Sequence, residues 1–135
     1  MASKEDKMAK AFRFAVDEEG TPRVEVVDFN DDGSTLREIY RVGGWDITEV
    51  GVSGKFAGVD VALWCDEEGL FREPVIVNRS ATDFRNEVLG FIADPLVGVC
   101  VLTADDTETG STLGFTDEQV AAITAQLAHG GYPLA

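Results

Sequence analysis

Two short stretches constrain the fold more than any others: "VDVALWC", residues 59–65, and "PLVGVCVLTA", residues 95–104. Both are rich in valine and leucine, have no proline inside the run, and lead into acidic residues. Apolar runs of this length are expected to be interior strands of a covered sheet. The segments around them supply neighbours. "KAFRFAV" and "RVEVVDF" predict a hairpin across "DEEGTP", where Gly20 and Pro22 are turn formers. "DITEVGV" and "EPVIVN" predict two more strands, and "DDTETGSTLG" a polar loop. "DEEG" recurs between "VALWC" and "EPVIVN", a weak internal echo of the first hairpin.

Three helices are expected. "DGSTLREIYRVGG" starts at Ser34 or Thr35, presents Leu36, Ile39 and Tyr40 on one face, and stops at Gly43 and Gly44. "ATDFRNEVLGF" is capped by Thr82 or Asp83. In "TDEQVAAITAQLA", Thr116 and Gln119 make a capping box, and Val120, Ile123 and Leu127 form a stripe bordered by Thr124. The order β-β-α-β-β-β-α-β-α predicts an α+β fold in one small domain. Its sheet is antiparallel or mixed, with about five to six strands and two to three helices on one face. The domain is expected to span residues 10–129, between a loose tail at 1–9 and a C-terminal tail at 130–135.

Charge sets the function class. Among 135 residues, 25 are Asp or Glu and 11 are Lys or Arg, a net charge of −14. No Lys or Arg follows Arg85. Such a surface repels phosphate backbones, so direct nucleic-acid binding is not expected, whereas a protein with a basic surface is a natural partner. The opening "MASKEDKMAK" lacks the apolar core of a signal peptide, and no run is long and apolar enough to cross a membrane. A cytoplasmic protein with no membrane partner is expected.

The chemistry-bearing residues are sparse. Cys65 and Cys100 lie inside apolar runs and read as reduced core thiols; with His129 as the single histidine, they cannot make a zinc site. "DFNDDGSTLREI", residues 28–39, matches the first half of a calcium loop but has Ile39 where the bidentate glutamate belongs. It reads as an Asx-turn before a helix cap. "VGVSGKF" is neither a nucleophile elbow nor a phosphate loop. No metal, no cofactor and no enzymatic activity are expected. Trp45, Trp64 and Phe71 are expected in the core.

The pieces "GSTLREIYRVGGWDITEV", "VALWCDEEGL", "VNRSAT", "PLVGVCVLTAD" and "GFTDEQVAAI" together resemble, in order and spacing from Ser34 to Ile123, a family of phages and mobile elements. That family is catalogued as domain of unknown function three-eight-four-six. The resemblance implies a small phage-type protein and assigns no activity. By analogy of class it points to a non-enzymatic binder that modulates a host protein, of the nucleic-acid-binding or defence kind, by imitating DNA charge. The candidate acidic surface is Asp66, Glu67 and Glu68 with Asp105, Asp106 and Glu108. These two turns form one patch only if the strands before them end at the same side of the sheet. The alternative is a protein that binds or sequesters a small ligand, a nucleotide, with Asn78, Arg79 and Thr82 as contacts and Arg72 and Arg85 nearby.

Overall fold

The computed structural model describes residues 8–135. The expected N-terminal tail therefore lies outside the described residues, except for Met8 and Ala9. Six strands form one antiparallel sheet: β1 (Lys10–Val16), β2 (Pro22–Asp28), β3 (Thr48–Phe56), β4 (Val59–Asp66), β5 (Cys100–Asp106) and β6 (Ser111–Leu113). Their order is β2-β1-β5-β4-β3. β6 pairs the far half of β5 and continues into β1 through a Lys10–Phe115 bridge. The two apolar runs are interior strands, as their composition demands. With α1 (Thr35–Gly43), α2 (Arg79–Leu89) and α3 (Asp117–His129), the chain is a small single-domain α+β protein.

Burial on both faces of β5 explains its apolar run. Cys100, Leu102 and Ala104 face one core together with Phe12, Phe14, Val61 and Leu63, closed by Phe84 of α2 and by Ile123 and Leu127 of α3. Val101 faces a second, smaller core with Ala11, Phe29, Ile39 and Val42. Helices thus cover both faces, where one face was expected, because β1 and β5 each turn apolar side chains both ways. Phe84 lies between Phe14 and Phe56, with ring centroids 5.2 and 4.7 Å away. Each such fully buried ring contributes about 2–3 kcal/mol.

Several local expectations change. α1 buries Ile39, Val42 and Gly43, while Leu36 is exposed. Its cap is Ser34, and Gly44 ends it in the left-handed conformation at φ 76°. "EPVIVN" is not a strand of the sheet. β5 already has β4 on one side and β1 with β6 on the other, so residues 76–78 pair only with the segment before β5. There Asn78 N–H donates to the Leu96 carbonyl at 2.9 Å, and Gly98 N–H to that of Ile76 at 2.8 Å. The preceding residues, Gly69–Phe71, make a 3-10 turn that leaves Phe71 85% exposed, outside the core. Trp45 and Trp64 do pack against the second core, their indole N–H groups donating to Val99 O (3.0 Å) and Thr103 Oγ1 (2.9 Å). The polar loop after β5 contains β6. The C-terminal residues belong to the domain: Val24 N–H donates to Pro133 O and Ala135 N–H to Val24 O, both at 2.8 Å, which pairs the outer edge of β2 at that residue.

Candidate interaction surface

The "NRSAT" step is consumed by the fold. Asn78, not Thr82 or Asp83, caps α2: its Oδ1 accepts Ala81 N–H at 3.1 Å. Its amide group donates to Phe14 O and Gly98 O, both at 2.8 Å, and the residue is fully buried. The Thr82 hydroxyl donates to Asn78 O (2.8 Å) and accepts Leu96 N–H (2.9 Å). Both side chains tie α2 to the sheet, and all of their donor hydrogens are used inside the fold. Arg79 is exposed and makes no salt bridge among the described residues. Arg85 is buried, donating to Asn86 Oδ1 and the Asp94 carbonyl. Arg72 lies elsewhere, so the three arginines do not converge.

The first acidic turn is partly neutralised from within, by the single cation Arg72. Asp66 accepts Glu68 N–H at 3.0 Å and the Arg72 guanidinium at 2.8 Å. Asp46 and Glu68 lie 4.0 Å from the same guanidinium. Hydrogen bonding to Asp66, then the charges of Asp66, Glu68 and Asp46, raise the already high Arg72 pKa. Glu67 is exposed beside them.

The second acidic turn is at the opposite end of the sheet. β4 and β5 are antiparallel, so Asp66 ends one strand where Cys100 begins the other. The six candidate carboxylates, one patch only if the two strands ended at the same side, are therefore two separated groups. The direction of the strands brings other acids to Asp105, Asp106 and Glu108. Asp60 is the second residue of β4, one before the Val61–Ala104 pair, and it lines a shallow cleft with Asp105, Asp106 and Glu118. Asp31 accepts Gly114 N–H at 2.9 Å, and Asp32 and Asp117 line the adjoining cleft. Lys55 pairs with Asp60 at 2.9 Å. By contrast Asp31, Asp32, Asp105, Asp106, Glu108, Asp117 and Glu118 have no salt bridge among the described residues. The Thr109 hydroxyl, then the Glu108 main-chain N–H, hold the Asp106 carboxyl below its ordinary range, so it stays charged.

Asp31, Asp32, Asp60, Asp117 and Glu118 escape a sequence reading because nothing local links them. Each borders an element, and only strand direction decides which borders meet. The calcium-like segment is the Asx-turn expected: Asp32 N–H donates to Asn30 Oδ1 at 3.0 Å. Glu38, the acid nearest the missing ligand position, is held by Arg41 at 2.8 Å and accepts Asn30 N–H at 2.9 Å. The buried thiols are free, with Cys65 and Cys100 sulfurs 3.7 Å apart. The Cys65 thiol beside it, then burial, push the Cys100 thiol up, which keeps it protonated. A groove of about 960 Å³ runs along α2 between Arg79, Asp83, Asn86 and Phe91 on one side and Gly130–Pro133 on the other. Its one phenol, Tyr132, donates to Glu87 at 3.1 Å.

A family model described as Domain of unknown function (DUF3846) matches residues 12–128. The chain belongs to the DUF3846 family. The DUF3846 match takes in the β1–β2 hairpin, which lies outside the Ser34–Ile123 resemblance, and nearly all of α3. No curated protein and no solved structure matches this DUF3846 chain. No helix among the described residues is long and apolar enough to cross a membrane.

Proposed function

We propose that this DUF3846 protein is a non-enzymatic, phage-type binding protein that modulates a bacterial host protein by occupying its basic surface. The observation that carries this reading is the gathering of Asp31, Asp32, Asp60, Asp105, Asp106, Asp117 and Glu118 around two adjoining clefts at one end of the sheet, with Glu108 on the turn beside Asp106; among the described residues the lysines at this end are taken by Asp60 (Lys55) and Asp28 (Lys10). Neighbouring like charges cost stability. They also create a field that attracts a basic partner and speeds its approach. The patch replaces the two-turn DNA-like surface expected from the sequence, since Asp66, Glu67 and Glu68 sit at the other end.

The test is capture of a basic protein from bacterial lysate at low and at high salt. The wild-type protein is expected to retain its partner at low salt and lose it at high salt. Asp105→Lys with Asp106→Lys is expected to retain less and to respond less to salt. Equal capture by both proteins removes the support for the acidic end. For the alternative, nucleotide sequestering, Arg79 is the one candidate side chain with free donors, and a thermal-shift screen against nucleotides is expected to be flat.

A further inference from the structure

The two outer edges of the sheet are treated differently. The β2 edge is paired at Val24, where Pro133–Ala135 bind both of its outward main-chain groups. The β3 edge has no main-chain partner beyond β4 among the described residues. Register shows which groups it offers. Ala57 and Gly58, at φ 54° and 76°, make a two-residue turn that closes the hairpin at the Phe56–Val59 pair. Hydrogen-bonded pairs then alternate, so Phe56, Gly54 and Val52 turn their main-chain groups to β4, and Lys55 and Ser53 turn theirs outward. At the far end Ile47 O accepts Glu67 N–H at 3.3 Å, which keeps the same alternation on the other side of a bulge between Val50 and Val52. That bulge is held by Gly51, where a side-chain carbon would meet the Cys65 sulfur at 2.7 Å. The usable edge is therefore the stretch from Val52 to Phe56.

We infer that this edge takes an extended, lysine- or arginine-bearing segment of the partner protein as an added strand. An unpaired row of N–H and C=O groups is matched by another extended main chain, which supplies affinity without a deep pocket. Charge selects the occupant. Lys55, the one cation on this stretch, is already neutralised by Asp60. The stretch ends at Phe56, at the same end of the sheet as Asp60, Asp105 and Glu118. A strand added there enters or leaves across the acidic patch, where basic side chains are attracted and a second copy of this chain, at −14, is repelled. The basic character of the segment rests on the proposed function; the edge itself does not.

The experiment uses the full chain and two labelled synthetic peptides of equal length, one alternating lysine and valine, the other threonine and valine. Fluorescence anisotropy is expected to show tighter binding of the lysine peptide. Ser53→Pro, which removes an outward N–H, is expected to weaken it about tenfold or more, while Ser53→Ala leaves it unchanged. Amide exchange on the wild-type protein needs no variant: the Ser53 and Lys55 amides exchange freely alone and become protected with the peptide. Lysine-peptide binding that leaves these amides unprotected and ignores Ser53→Pro overturns the edge assignment and leaves the acidic end standing. Equal protection by both peptides at equal affinity keeps the edge but overturns its basic occupant and the acidic-end reading with it. A free protein that is dimeric, and that Ser53→Pro makes monomeric, overturns the choice of occupant in favour of a second copy.

Discussion

The Asn78–Thr82 step and the acidic end are both polar clusters beside the sheet, and they have opposite fates. Asn78 spends its amide on Phe14, Gly98 and Ala81, and Thr82 spends its hydroxyl on Asn78 and Leu96. Asp105, Glu108, Asp117 and Glu118 point charge at solvent with no salt bridge among the described residues. Asp66 is intermediate, acidic but satisfied by Arg72 and its own turn. Polar groups whose bonding capacity is used inside the fold serve stability. Those with capacity left over are the ones available to a partner, because only they gain anything from one.

The sharpest way to break this contrast is Asn78→Ala. It strands the buried Phe14 carbonyl, takes a donor from the half-buried Gly98 carbonyl and removes a helix cap, so chemical denaturation is expected to show a loss of about 3 kcal/mol. Partner binding by the folded fraction should be unchanged. A stable Asn78→Ala protein that fails to bind would make Asn78 a recognition residue after all.

Thr82→Val keeps the shape but removes the acceptor for Leu96 N–H, with an expected loss of about 1–2 kcal/mol by the same measurement.

A smaller effect separates a satisfied acid from a free one. The Arg41 hydrogen bond, with the Asn30 N–H, holds the Glu38 carboxyl below its ordinary value, against a raising effect of burial. A lowered folded-state pKa means that the contribution is complete above the ordinary glutamate range and is lost as pH falls through the lowered value. Melting curves against pH should show this acid-side loss in the wild type and less of it in Glu38→Gln. The difference should stay below about 1 kcal/mol, because the Arg41 side of the pair is open to solvent.

Least of all should the melting temperature respond to Asp105→Lys with Asp106→Lys, although this variant is the one expected to lose the partner. A clear change in melting temperature would place these carboxylates with Asn78, on the structural side.

The sequence by itself determined the interior strands, the class of fold and the capping box of α3, in which Thr116 Oγ1 accepts Gln119 N–H at 3.2 Å and Gln119 Oε1 accepts Thr116 N–H at 3.0 Å. These follow from composition and from contacts between near neighbours, which local order records directly. It misplaced the start of α2, because Asn78 reads as strand until Phe14 and Gly98, far away in the chain, are seen to hold it. It took Phe71 for core, because an aromatic after a turn carries no mark of which way the turn faces. Only the tertiary structure decided that Asp66 and Asp105 part company and that Asp105 meets Asp60 and Glu118 instead. That outcome depends on the antiparallel run of β4 against β5. Strand direction is set by packing over the whole sheet, and no residue at either turn encodes it.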